Sequence, residues 1–314
     1  MSCASTGLST KGKSLSGVME RPFVPTTPLH RYCADPNLAV FEGRYFMYCT
    51  NDGFPNWGST TFSVYTSDDL ANWEEHPVPI LDLDDVPWWR HKGGAWAPTI
   101  VRNDAGDYVF YFVADSQIGA AISSSPYGPF EPLPNPLLTT EEFGEGMIDP
   151  SVFIDDDGTK YLLWGNTVAH MARLTSDCLD IDRSTHAKWQ PTDFREALWI
   201  HRRGDLYYAS WSANDARDPE YQVRYAISDS LTGPWQDRGI LIEKDEEKGV
   251  LATGHHSITR LPGMDEWILA YHRFSMCGRG SGHEREIVFA PLSHDANGNL
   301  QVDAVWPGSY MRQL

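Results

Sequence analysis

No apolar run in this chain approaches the roughly 18 residues that a membrane-spanning helix needs, so a bilayer is not an expected partner. Residues 1 to 20 are rich in Ser, Gly and Lys and have no apolar h-region, so no secretory signal is read there. Cysteine is scarce. Cys3, Cys33, Cys49, Cys178 and Cys277 are odd in number, widely spaced and free of any CxxC pair. That excludes a disulfide framework and a thiolate zinc site, and leaves reduced, partly buried thiols in a reducing, cytoplasmic setting. Positive charge is also short, with 25 Lys and Arg against 43 Asp and Glu and a net charge of −18. Such a surface repels nucleic acid and anionic lipid and suits a neutral ligand, although part of the acidity serves solubility. Long amphipathic helices are missing as well.

What is plentiful is aromatic and turn-forming: Trp 12, Tyr 14 and Phe 13, with 26 Gly and 21 Pro. This mixture favours many short strands. A repeat organises them. Ala34-Asp35-Pro36-Asn37-Leu38 precedes Gly43-Arg44-Tyr45-Phe46-Met47-Tyr48, and Trp96-Ala97-Pro98-Thr99 precedes Gly106-Asp107-Tyr108-Val109-Phe110-Tyr111. Ile148-Asp149-Pro150-Ser151 precedes Gly158-Thr159-Lys160-Tyr161, Glu196-Ala197-Leu198-Trp199 precedes Gly204-Asp205-Leu206-Tyr207, and Gly254-His255-His256-Ser257 precedes Asp265-Glu266-Trp267-Ile268. Each is a strand, a tight turn and an aromatic strand, which is a hairpin signal. Further strands follow each hairpin, giving four per unit at a period of roughly 45 to 60 residues, the signature of a propeller blade. The expected fold is therefore all-β: a single five-bladed β-propeller over residues 28–314, preceded by an extension over 1–27. A β-sandwich is the competing reading, but sandwiches do not repeat one strand–turn–strand signature five times.

In a propeller the first strand of each blade lines the axis, so equivalent positions converge. The repeat aligns Asp35, Ala97, Asp149, Glu196 and His255. An isolated buried carboxylate is costly, and carboxylates drawn together push their pKa values apart, which suits acid and base work near neutrality. Taken singly, each has a bland reading, since Asp-Pro pairs open turns and a lone Glu is usually solvated. Their joint position points to chemistry.

With Gly-Ala-Trp-Ala-Pro at 94–98 and Gly-His-His-Ser at 254–257, the three carboxylates resemble glycoside hydrolase family 43 over nearly the whole chain. The resemblance implies inverting hydrolysis of arabinose- or xylose-containing glycans, on carboxyls about 6.5–9.5 Å apart. It implies that Asp35 is the general base, Glu196 the general acid, and Asp149 the group that raises the acid's pKa and holds it. It implies no required cofactor, with a calcium or sodium ion near the axis beside His255; a hydrogen-bonded core histidine fits the same residue. Arg285 would pair with Asp149. Trp96 and Trp164 offer faces for a sugar, and Phe54 and Trp57 a pocket rim, while core packing is the alternative for the tryptophans. The insertion Asp82 to Arg90 would narrow the site, and Asp155-Asp156-Asp157-Gly158 fits a hairpin turn better than a calcium loop. The expected activity is release of a terminal pentose, α-L-arabinofuranose first, from an oligo- or polysaccharide. A β-D-xylosidase, an endo-arabinanase and a non-catalytic sugar-binding propeller are the alternatives. A fructan-cleaving relative is disfavoured by Ala34, Ile148 and Ala197, where that group has Asn, Arg and Cys.

Overall fold

The computed structural model describes residue 29 and residues 31–144, 146–276 and 280–302. The extension expected over 1–27, with Cys3, and also Cys277 lie outside the described residues. Five antiparallel sheets follow one another along the chain. Blade 1 comprises Cys33–Phe41, Arg44–Asn51, Thr61–Ser67 and Glu74–Glu75, with Leu81–Asp82 pairing back on its third strand. Blade 2 comprises Trp96–Arg102, Tyr108–Ala114, Gln117–Ser123 and Glu131–Pro132. Blade 3 is Ser151–Ile154, Lys160–Trp164, Ala169–Leu174 and Ile181–Trp189. Blade 4 is Glu196–Arg203, Leu206–Ala213, Gln222–Ser228 and Gln236–Ile242, and blade 5 is Gly254–Arg260, Trp267–Phe274, Arg285–His294 and Leu300–Val302. The chain is a five-bladed β-propeller. Among the described residues the α-helical part is Thr140–Phe143, and no helix is long and apolar enough to cross a membrane.

Local chemistry explains the hairpins. Phe41 pairs with Arg44, so two residues make the first turn, and both Glu42 (φ 53°) and Gly43 (φ 81°) take the left-handed conformation such a turn requires. The segment Asp155 to Gly158 is likewise a hairpin turn, with the Gly158 amide donating to the Asp155 carbonyl. Apolar residues on both faces of each sheet pack against the next one. Five large clusters result, and that between blades 5 and 1 contains Cys33, Met47, Tyr65, Ile268 and Phe289. The ring closes there. The Leu38 amide donates to Ser257 Oγ at 3.0 Å, the Thr259 hydroxyl donates to the Leu38 carbonyl at 2.6 Å, and Trp73 stacks on Phe289. Cys33, Cys49 and Cys178 are free and buried.

One irregularity recurs and prepares the site. The innermost strand slips register between Ala34 and Asn37, Trp96 and Thr99, Glu196 and Trp199, and Gly254 and His256. At or beside each slip a residue other than glycine has positive φ: Asp35 54°, Ala97 44°, Ala197 58°, His255 38°, and in blade 3 Asp149 55°. The four slips are β-bulges, which re-aim side chains, and the left-handed backbone at non-glycine residues in all five blades is strain concentrated at the axis. Pro36, Pro98 and Pro150 follow the strained residue in three blades, where proline's missing N–H deprives the ladder of nothing.

Candidate active site

The bulge corrects one expectation. Asp35 and Asp149 share a structural position with Ala97, Ala197 and His255, whereas Glu196 stands one residue earlier, at the place of Ala34 and Trp96. Glu196 pairs with Ser212 just as Trp96 pairs with Val113. A one-residue step turns a strand side chain toward the other face, so Glu196 comes to the axis from the side Trp96 occupies in blade 2. All three carboxylates are nevertheless buried at the inner ends of their blades.

Asp35 lies in a cationic nest. Its Oδ1 accepts from Arg285 Nη1 at 3.0 Å, and its Oδ2 accepts from the Thr50 hydroxyl at 2.6 Å. The nearest nitrogens of His255 and His272 each lie 3.2 Å from Oδ1. Burial alone would push this carboxyl up. Arg285, His255 and His272 outweigh burial and hold it well below the usual carboxylate range. Arg285 is fixed in turn by Asp52, whose Oδ2 accepts from the Arg285 Nε at 2.8 Å and from its backbone amide at 3.0 Å. The expected partner of Arg285 is thereby corrected: its hydrogen bonds run to Asp35 and Asp52. Asp149 feels it only as a more distant charge, because the guanidinium arrives from blade 5 on the blade 1 side.

Across the axis the balance reverses. Burial comes first, then the charges of Glu196 and Asp35, and together they push Asp149 well above its ordinary value against Arg285 and the Ala197 amide. Burial likewise raises Glu196 to about 7, although the Tyr221 hydroxyl and Arg195 pull it down. The pair titrates as a unit and retains a proton near neutrality. Glu196 is held by two donors: Tyr221 OH to Oε1 at 2.9 Å and Asn166 Nδ2 to Oε2 at 3.0 Å. The site thus contains one carboxylate held ionised and, opposite it, a carboxyl pair poised to keep a proton. Such an arrangement can accept a proton on one side and supply one on the other.

Around the carboxylates the loops make a wall. The Trp96 indole N–H donates to the Trp57 carbonyl at 2.7 Å, and the Trp57 indole N–H donates to the Gly282 carbonyl at 2.5 Å. The Trp57 ring lies 6.0 Å from the Arg285 guanidinium carbon and 5.8 Å from that of Arg217, with His283 edge-on at 4.5 Å. Phe54 is exposed in the same loop. The insertion Asp82 to Arg90 leads into Gly93-Gly94, where a Cβ on Gly94 would lie 2.3 Å from the Trp57 carbonyl and 2.9 Å from the Trp96 indole nitrogen. Only glycine admits that approach. Asp115 fixes the insertion by accepting from the amides of Arg90, Lys92 and Gly93, while Trp88 is core, stacked on Phe112. Trp164 corrects a third expectation. It is fully enclosed between blades 2 and 3, stacked on His170 and His186, and offers no face to a sugar.

A profile of known protein families matches residues 26–300 to glycosyl hydrolases family 43. A β-D-galactofuranosidase of Aspergillus niger is 31% identical over 295 residues, 90% of this chain and 85% of its own. A β-xylosidase of Xylanibacter ruminicola is 26% identical over 86% of this chain and 96% of its own. Among solved structures, a family 43 β-xylosidase/α-arabinofuranosidase from a compost metagenome, in complex with xylotriose and in a calcium-free form, superposes with a TM-score of 0.75. Its identity is 26%, with 90% of this chain and 98% of that one covered. The chain belongs to glycoside hydrolase family 43.

In this family 43 glycoside hydrolase His255 is the residue beside which an ion was expected. The axial cavity bounded by Pro36, Pro98, Asp149, Leu198, His255 and His256 has a volume of about 10 Å³, room for one water. Asn37 Oδ1 and His256 Nδ1 at this cavity lack hydrogen-bond partners among the described residues. One free carboxamide oxygen and imidazole nitrogens fall short of the six to eight oxygens calcium takes, and no cluster of three His, Cys, Asp or Glu able to hold a metal exists among the described residues. These side chains do not by themselves build a calcium site. His255 bridges the two aspartates instead, its Nδ1 3.2 Å from Asp35 and 3.4 Å from Asp149, and burial, joined by His272 and Arg285, lowers it to about 4 and keeps it neutral.

Sequence reasoning missed Thr50, Asp52, Asn166, Tyr221 and His272. One signal existed. Gly254 in the Gly-His-His-Ser motif faces the Tyr221 ring, where a Cβ would meet a ring carbon at 2.0 Å, so that glycine announces a bulky neighbour.

Proposed function

We propose that this glycoside hydrolase releases a terminal α-L-arabinofuranosyl unit from arabinan- or arabinoxylan-derived glycans with inversion of configuration. The observation that carries the mechanism is the split between the carboxylates: Asp35 held ionised by Arg285 on one side, and on the other Asp149 raised by burial and the charge of Glu196, with Glu196 itself raised by burial. Asp35 takes a proton from a water as that water attacks the anomeric carbon. Glu196 gives its proton to the departing glycosidic oxygen as the bond breaks. Asp149 keeps Glu196 protonated through like charge. The Trp57, Arg217 and His283 contacts join loops of blades 1, 4 and 5 into a barrier beside Asp35, which favours a pocket for one terminal sugar over an open groove.

A second reading, release of β-D-galactofuranose, is favoured by the Aspergillus niger relative. That sugar shares the ring configuration of α-L-arabinofuranose and differs by one further exocyclic hydroxymethyl group. The experiment is a panel of nitrophenyl α-L-arabinofuranoside, β-D-galactofuranoside and β-D-xyloside beside linear arabinan and arabinoxylan. Fastest turnover of the arabinofuranoside with free arabinose as the polymer product supports the first reading. Preference for the galactofuranoside supports the second. Early release of oligosaccharides from linear arabinan would contradict terminal action.

A further inference from the structure

Tyr221 is not one of the three carboxylates, yet it touches both halves of the site. Its side chain is fully buried in the loop before the third strand of blade 4. The ring lies nearly parallel to the His272 imidazole, at 14° and 5.6 Å between centroids. His272 and Gly254 are ladder partners in blade 5, and the missing side chain at Gly254 makes room for the ring. His272 in turn meets Asp35, its Nδ1 3.2 Å from both the Asp35 amide nitrogen and Oδ1. At the other end, the phenol donates to Glu196 Oε1 at 2.9 Å. Ser212 also faces the phenol and lowers its proton affinity, and its Oγ accepts from the His255 amide at 2.9 Å. A phenylalanine would fill the same space, so packing does not explain the hydroxyl; a buried hydroxyl needs an acceptor, and here the acceptor is the acid. Burial and the charges of Glu196 and Asp149 push the phenol well above its ordinary range, so it remains a donor at every working pH.

We propose that Tyr221 is a positioning residue that joins the two catalytic groups, orienting the Glu196 carboxyl through its hydroxyl and bracing Asp35 through the ring against His272. The proposal rests on the reading of Glu196 as general acid. Other charges facing Glu196 are Arg195, with Nε 3.6 Å from Oε2, and Asp35, Asp149 and Asp215. All of them remain in a Tyr221→Phe variant, which removes one hydroxyl and nothing else.

The test compares Tyr221→Phe, Tyr221→Leu and Glu196→Ala on a nitrophenyl glycoside and on a natural disaccharide. In Tyr221→Phe, kcat/KM on the disaccharide should fall about tenfold, the scale of one hydrogen bond to a charged group, and on the nitrophenyl glycoside much less. Because a hydrogen bond donated to a carboxylate lowers its pKa, its removal should move the alkaline limb of the pH profile upward. Tyr221→Leu should add a loss equal on both substrates, since the brace on His272 and Asp35 goes too. An unmoved alkaline limb in Tyr221→Phe, with equal losses on both substrates, would overturn the proposal while the acid assignment stands. Equal losses on both substrates in Glu196→Ala would instead remove the acid assignment itself, and the proposal with it.

Discussion

Asp35 and Asp149 make a natural experiment within one molecule. Each follows an apolar residue, precedes a proline, has positive φ near 55°, and stands at the inner end of its blade. Both are buried to the same degree. Yet their protonation goes opposite ways. Asp35 meets Arg285, Thr50 and two histidines, and its proton affinity falls. Asp149 meets another acid, Glu196, and its affinity rises. Backbone and residue type are the same, so the partners supplied by neighbouring blades decide which carboxylate takes a proton and which keeps the pair protonated. A repeat fold is suited to this, because it delivers equivalent side chains to one axis while leaving each blade free to furnish different company.

The largest break in that comparison is removal of the base. Asp35→Ala leaves no group to activate water, and kcat/KM should fall by about 10²–10⁴-fold on natural and nitrophenyl substrates alike. A partial rescue on the nitrophenyl glycoside alone would mean that base and acid had been exchanged. Next comes the cation that separates the two aspartates. Arg285→Met leaves Asp35 and Asp52 buried without it, which should reduce stability by about 3–5 kcal/mol in denaturant titrations. The same change should move the acidic limb of the pH profile upward, because a base that must be ionised then ionises later. An unchanged acidic limb in a folded variant would show that Arg285 does not set the charge of Asp35. A smaller effect sharpens the other half. Asp149→Asn removes the like charge that keeps Glu196 protonated, so the alkaline limb should move downward, with a loss on the order of tenfold at neutral pH. An upward movement would contradict the coupling.

The sequence carried the fold because the blade hairpin repeats: Gly43, Gly106, Gly158 and Gly204 mark the turns, and each is flanked by an aromatic strand. For the same reason it brought Asp35, Asp149 and Glu196 to one axis, where all three are buried. It misaligned Glu196 by one residue because a bulge inserts a residue without changing the local pattern, and the bulge in blade 4 lacks the proline that marks it in blades 1 and 2. Partners from distant blades were invisible. Arg285 and Asp35 are 250 residues apart, Tyr221 reaches Glu196 from a loop without repeat symmetry, and nothing in the local text around Asp52 or His272 separates them from an ordinary turn or strand. Trp164 misled because its place at the end of the second strand of blade 3 looks axial, while its ring turns into the interface with blade 2.

The stereochemistry of the first-formed product tests most directly whether Asp35 is a base and not a nucleophile. In an NMR time course on an α-L-arabinofuranoside, β-L-arabinofuranose should appear first and then mutarotate, as a single displacement by water on the face opposite the leaving group requires. Initial release of the α-anomer would contradict it, since retention demands a covalent intermediate on a carboxylate that this account gives to the activation of water.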